Sequence, residues 1–315
     1  MNGKCGITVD DAAEDGLRAC RARRSFQRSG YTNPLDQLKW LSMSSRLEQL
    51  IRASDEPATT GSLRREIVAL GVAEGTTLAV HSSLSSLGFV VGGAVAAVLA
   101  LEDALGPAGT LAMPTHTGDL SDPGGWENPP VPKAWLEVMR QDFPAFDPAL
   151  TPTFRMGVIP ECFRNQSGTM RSNHPLCSWA ARGPSAPSIT NGHQLRMAQG
   201  EGSPLARLYD LDANVLLLGV DYNNNTCCHL AEYRSRHSAH RASRPSAAFS
   251  VDGHSTWVTY DDISWKDDDF LELGYAFERE RAAVRVGRIA GARAKLFSLR
   301  ACVDFAVAWM DRNRT

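Results

Sequence analysis

The apolar run from Asn214 to Val220 (NVLLLGV) constrains this chain more than any other feature. It has the length of a strand, and after Asn214 it offers no polar side chain to a wet face. It therefore predicts a strand buried on both sides. The rest of the chain supplies what such a strand needs. Residues Thr77 to His81 (TLAVH) read as a second buried strand. Gly92-Gly93 opens a helix carrying Val95, Val98, Leu99 and Leu105, and Gly106-Pro107 stops it. Thr110 to Pro114 (TLAMP) is the next strand, so this unit predicts a parallel crossover. Leu63, Ile67 and Leu70 are spaced for a helix, as are Leu299, Val303, Ala306 and Met310 at the end of the chain. Residues Lys133 to Phe143 and 157–164 also predict helices.

The expected fold class is α/β: one layered sandwich over 46–315, with a central mixed, partly parallel sheet flanked by helices. No repeat or linker divides it. Residues 1–45 differ. Asp10, Asp11, Glu14 and Asp15 precede the basic run Arg18, Arg21, Arg23, Arg24 and Arg28, with little hydrophobic periodicity. They predict a poorly ordered N-terminal extension, and Met43 stands just before organised sequence begins.

Composition narrows the function. Hydrophobic residues make up 43% of 315, enough for a sizeable core. Lys plus Arg number 33 against 35 Asp plus Glu, a net charge of −2 that argues against a nucleic-acid partner. No apolar run approaches the ~18 residues of a membrane span, and no secretory signal is evident. The seven cysteines are scattered without a C-x-x-C pair, which predicts free thiols, a cytoplasmic location and no metal.

Several residues suit chemistry. Beyond the central strand, Thr226 is positioned to cap a helix that puts His229 in its first turn. Glu232 then shares the face of His229 at i+3. That place, outside the carboxyl end of a buried strand, commonly binds ligands in α/β folds. A histidine near a helix entrance favours the neutral imidazole that a general base requires. His81, Ser82, Ser83 and Leu84 end the TLAVH strand with hydroxyls and backbone N–H groups suited to a phosphate or carbonyl oxygen. Asp119, Asp122 and Glu127 lie in the long loop 115–132. Asp261, Asp262, Asp267, Asp268 and Asp269 lie in a later stretch. Such acids suit either solvent or a polycation. Phosphate-loop, dinucleotide-binding and nucleophile-elbow motifs are absent from the sequence.

Taken in order, these pieces resemble the aminoglycoside 3-N-acetyltransferase family, antibiotic acetyltransferases that lack the common acetyltransferase fold. The matching blocks are VHSSLSSLG at 80–88, GTLAMPTHTGDLSDP at 109–123 and PAFDPALTPTFRMGVIPECFR at 144–164. RSNHPLCSWAARG at 171–183, GEGSPLARLYDLDANVLLLGV at 200–220 and NNTCCHLAE at 224–232 follow. The segment before Met43 has no counterpart in the family pattern. The resemblance implies acetyl-coenzyme A as co-substrate and acetylation of the 3-amino group of a deoxystreptamine ring, hence aminoglycoside resistance. It implies His229 as catalytic base, with Asp262 as the acid paired with it and Asp261 adjacent. It places coenzyme A against His81, Ser82, Ser83, Leu84, Met113 and Pro114, and the cationic sugar against Asp119, Glu232 and Asp261. His174, in the SNHP block, reads as mainly structural. The competing expectations are an acetyltransferase of another amine and a non-catalytic aminoglycoside-binding protein.

Overall fold

The computed structural model describes residues 45, 47–237, 241–280 and 283–314. The expected extension 1–45, Met43 included, falls almost entirely outside these residues. The chain divides into two units, Met1–Asp55 and Glu56–Thr315. In the first, residues 47–52 are helical. Everything below concerns the second.

The elements follow the apolar pattern. Helix α1 (Thr60–Leu70) begins at Thr59, whose side chain accepts from Ser62 N, and buries Leu63 and Ile67. Strand β1 (Thr77–Ser82), helix α2 (Gly93–Leu105) and strand β2 (Thr110–Pro114) form the expected crossover, with β1 and β2 parallel. Short helices α3 (Leu136–Asp142) and α4 (Val158–Arg164) lie near their expected places. Strands β3 (Met170–Arg171) and β4 (Trp179–Arg182) precede helices α5 (Ala186–Thr190) and α6 (Pro204–Asp210). The apolar run is strand β5 (Asn214–Leu218), followed by helix α7 (Cys228–Arg234). Next come β6 (Ala242–Ser243), the hairpin β7 (Ser246–Val251) and β8 (His254–Thr259), and β9 (Asp262–Ile263). Helix α8 (Phe270–Glu280), strands β10 (Arg285–Ile289) and β11 (Ala292–Ser298), and helix α9 (Leu299–Asn313) complete the unit.

The main sheet has seven strands in the order β10-β11-β5-β1-β2-β4-β3. Its centre, β5-β1-β2, is parallel, and both flanks are antiparallel. Alternation along β5 divides the core between two faces. Val215 and Leu217 pack with α5 to α9, while Leu216 and Leu218 pack with α1, α2 and α4. Each fully buried aliphatic side chain contributes about 1.5–3 kcal/mol over its exposed state, and the covering helices supply that burial. This is the expected layered α/β sandwich. No described helix is long and apolar enough to cross a membrane.

The parallel strands point their carboxyl ends the same way, and the polar clusters gather there. Gly219, at φ +70°, turns the chain out of β5 where a Cβ would meet Ser86 Cβ at 2.5 Å. Ser86 Oγ donates to Gly219 O (2.9 Å), which fixes the serine turn after β1 against the end of β5.

Candidate active site

His229 is the second residue of α7 and is almost buried. The helix cap is Cys227 rather than the expected Thr226, whose carbonyl instead accepts from His229 N (3.0 Å). The i, i+3 spacing delivers what it predicts. His229 Nδ1 lies 2.7 Å from Glu232 Oε2. Trp265 and Phe270 pack on the imidazole, with ring centroids at 4.7 and 5.0 Å.

Glu232 has no exposed side-chain surface. Its Oε1 accepts from Arg241 Nη1 (2.5 Å), Arg314 Nη1 (2.8 Å) and Lys266 N (2.8 Å). Burial by itself would raise its pKa. The hydrogen bonds from His229, Arg241 and Lys266 N outweigh burial and hold it down at about 2. An ionised carboxylate only accepts, so His229 carries its proton on Nδ1 and leaves Nε2 as the basic nitrogen. Nε2 makes no hydrogen bond among the described residues. Arg314 is fixed in turn by Asp269, at 2.6 and 2.9 Å, and by Lys266 O (2.6 Å).

These contacts correct two expectations. The acid on His229 is Glu232, not Asp262. Glu232 is also no sugar contact, since both of its oxygens are occupied and neither reaches solvent. Asp262 is buried too, but its Oδ1 accepts from Tyr233 Oη (2.6 Å) and its own neighbour Ile263 N (2.8 Å), and its Oδ2 from Ala198 N (3.3 Å). Burial raises its pKa, because every hydrogen-bonding partner is neutral. Asp262 lines a 620 Å³ cleft with Tyr233, Met197, Glu201 and the exposed Asp261. Glu201 is paired with Arg234 (2.7 Å), and Asp261 with Arg244 (3.3 Å).

The other expected residues divide. His81 is buried at the end of β1, edge-on to Trp179, with Cys227 Sγ 3.7 Å from its Nε2. Burial above all lowers its pKa to about 3 and keeps it neutral. Ser82 Oγ is buried without a partner. A polar ligand group would satisfy it. Ser83 N donates to Leu218 O (2.9 Å), so that N–H is not free for a reacting oxygen. Leu84 opens the following turn and is half-buried. Met113 is a correction: its side chain is fully buried in the core beside α2 and cannot touch a ligand. Pro114 is likewise buried, paired with Trp179 across β2-β4. Asp119 is half-buried in the long loop, with Oδ1 unpartnered. His174 is structural as expected. Its Nδ1 accepts from Leu176 N (3.1 Å) and Cys177 N (3.0 Å), and Nε2 donates to Leu195 O (3.1 Å).

Sequence reasoning did not find Arg241, Arg314, Tyr233 or Trp265. Tyr233 lies one helical turn beyond His229, a spacing that could have flagged it, whereas Arg241, Trp265 and Arg314 have no short spacing to His229 and only chain folding brings them there. No described group of His, Cys, Asp and Glu has the arrangement of a metal site, and the described cysteines are free thiols.

A helix-covered α/β sandwich that holds an imidazole, oriented by a buried carboxylate, at the carboxyl ends of its strands has the means to move a proton during a reaction there. The family pattern described as aminoglycoside 3-N-acetyltransferase matches residues 79–311, and the chain belongs to that family of acyltransferases. It is 41% identical over 268 residues to the SPbeta prophage-derived aminoglycoside N(3')-acetyltransferase-like protein YokD of Bacillus subtilis, covering 85% of this chain and 97% of that one. The crystal structure of YokD superposes with a TM-score of 0.82 at 42% identity, covering 84% of this chain and 98% of that one. Aminoglycoside N(3)-acetyltransferase VII of Streptomyces paromomycinus is 34% identical, over 84% of this chain and 95% of its own. A structure of AAC-IIIb with CoASH matches with a TM-score of 0.72 at 30% identity, covering 82% and 97%.

Proposed function

We propose that this chain transfers the acetyl group of acetyl-coenzyme A to the 3-amino group of an aminoglycoside, with His229 Nε2 as general base. The observation that carries this reading is the His229–Glu232 pair. It combines a proton-accepting Nε2 with a permanently ionised carboxylate behind it. An aminoglycoside amine is largely protonated at neutral pH and must lose a proton to attack the thioester. That first proton leaves to solvent before attack; His229 Nε2 takes the second as the N–C bond forms and returns it to the departing thiolate as C–S breaks. Glu232 holds the tautomer and stabilises the imidazolium between these events. Base catalysis of this kind supplies ~10²–10⁴-fold, and alignment of the two substrates supplies a further ~7–11 kcal/mol.

Glu201, Asp261 and Asp262 line the neighbouring cleft with carboxyl oxygens that can accept hydrogen bonds from the amines and hydroxyls of a sugar, the first two while paired with arginines, and Asp119 adds a carboxylate on the long loop. Solved relatives include AAC-VIa bound to sisomicin, which supports an aminoglycoside as acceptor. Ser82, Ser83 and His81 are the residues proposed to meet the donor. Free thiols suit a cytoplasmic location, where this reading places the enzyme. Acetylation removes a positive charge from the drug and so weakens its hold on RNA phosphates, the basis of resistance.

The test is thiol release from acetyl-coenzyme A over a panel of aminoglycosides, with His229→Ala beside the parent. The parent is expected to acetylate the 3-amino group. The variant should lose at least ~10²-fold in kcat while still binding the donor. Near-parental turnover in His229→Ala would remove the base from its role.

A further inference from the structure

We infer that Trp179, Gln199 and His116 form a one-way hydrogen-bond chain that locks His116 as an uncharged donor, its Nδ1–H serving an oxygen acceptor of the bound substrates. The direction of the chain follows from its first member. Trp179 is fully buried, and an indole nitrogen can only donate. Its Nε1 lies 3.4 Å from Gln199 Oε1. The carboxamide oxygen is thereby committed to Trp179, which turns the amide nitrogen toward His116, 3.1 Å from Nε2. A carboxamide nitrogen only donates, so His116 Nε2 accepts and the ring proton resides on Nδ1.

The ring stays neutral. Burial above all lowers its pKa to about 3. Trp265 Nε1 donates to Tyr233 Oη (2.8 Å), the hydroxyl that anchors Gln199, and the same indole packs on His229 with ring centroids 4.7 Å apart, which puts the chain beside the reaction centre. The residue is half-buried, follows β2 directly, and stands edge-on to Trp179 at 6.4 Å. Gln199 is anchored from behind, its backbone N–H donating to Tyr233 Oη (3.3 Å), the hydroxyl that also holds Asp262. His116 Nδ1 makes no hydrogen bond among the described residues.

An N–H donor repels an ammonium and suits an oxygen. Two substrate oxygens have this chemistry: the thioester carbonyl, which gains negative charge as nitrogen attacks, and an aminoglycoside hydroxyl. Ser83 N–H is consumed by Leu218 O, so it leaves that requirement unmet. His116 donates a hydrogen bond and transfers no proton, which is the part His229 plays. The inference rests on the proposed site of transfer. The tautomer itself is measured without reference to turnover.

The experiment is nitrogen and carbon NMR of histidine-labelled full-length protein, with the His116 signals identified by their loss in His116→Phe. The neutral Nδ1–H tautomer is expected between pH 5 and 8. In Gln199→Glu, an acceptor replaces the donating amide, and the His116 proton should move to Nε2. The same variant should lose about 10²-fold in kcat at unchanged donor KM if the partner is the thioester oxygen. It should instead raise the aminoglycoside KM alone if the partner is a hydroxyl. The wild-type tautomer needs no variant beyond the assignment, and Gln199→Met offers a second way to release the ring. An Nε2–H tautomer in the parent overturns the inference, as does kinetics within twofold of parental in both Gln199→Glu and His116→Phe. Full activity in His229→Ala would instead overturn the base assignment and leave the tautomer standing.

Discussion

Glu232 and Tyr233 are neighbours on α7, yet they lead into opposite carboxylate environments. Glu232 meets two guanidinium groups, an imidazole and a backbone N–H, and is held ionised at about pKa 2. Tyr233 leads to Asp262, which meets a phenol and two backbone N–H groups, and its pKa rises. Both side chains are buried, so burial does not distinguish them. The charge of their partners does. A buried carboxylate surrounded by cations is a fixed negative charge that can stand behind an imidazolium. One surrounded by neutral donors keeps the option of a proton, and here it faces a cleft with two further acids.

Glu232→Gln is the strongest way to break this contrast. It leaves Arg241 and Arg314 without their shared anion and lets the His229 ring choose its tautomer. Turnover is expected to fall on the order of 10³-fold, with stability lower by about 3–5 kcal/mol. Steady-state kinetics and denaturant melts read both. Arg314→Met comes next. Breaking its buried pairs with Glu232 and Asp269 should cost about 3 kcal/mol in denaturant unfolding. Kcat should fall less than ~10-fold, because Arg241 and Lys266 N still hold the carboxylate. A collapse in turnover as deep as that of Glu232→Gln would show that Arg241 cannot hold Glu232 alone.

Asp262→Asn sharpens the contrast from the other side. The amide oxygen still accepts from Tyr233, so kcat should change less than ~10-fold, with the larger effect on the aminoglycoside KM. If Asp262→Asn instead matched Glu232→Gln in kcat, the assignment of the imidazole's partner would be reversed. The smallest effect is a difference of slopes with pH. Glu232 has a folded pKa below its unfolded value of 4.5, so its stabilisation is present above pH 4.5 and lost as pH falls toward 2. Asp262 has a folded pKa above 3.8. Its contribution is therefore present below 3.8 and lost as pH rises through the folded value. The stability gap between parent and Glu232→Gln should shrink on acidification, by at most ~1.4 kcal/mol per pH unit. The gap between parent and Asp262→Asn should move the other way. Denaturant melts over the upper part of that window, where the chain stays folded, measure both.

Much of the frame was legible because it rests on periodicity. The buried run at β5, the β1–α2–β2 crossover and the closing helix α9 all came from apolar spacing and glycine punctuation. The antiparallel flanks did not, since β10 alternates weakly and β4 is short. The site was half legible. The i, i+3 relation of His229 and Glu232 was visible as a shared helix face, yet the family resemblance pointed to Asp262 as the partner. Local geometry proved the better guide because a three-residue helical spacing leaves little freedom, whereas a carboxylate 33 residues away can turn to any donor nearby.

The sequence by itself determined the helix-covered sheet, the place of the imidazole at a strand's carboxyl end, and the acid one turn beyond it. Those features depend on spacing along the chain. Only the tertiary structure decided which carboxylate would be permanently charged. Arg241 and Arg314 lie 9 and 82 residues from Glu232 in sequence and reach it through folding alone. The physical reason is that periodicity fixes which face a side chain occupies, while its protonation state depends on the charges that close around it.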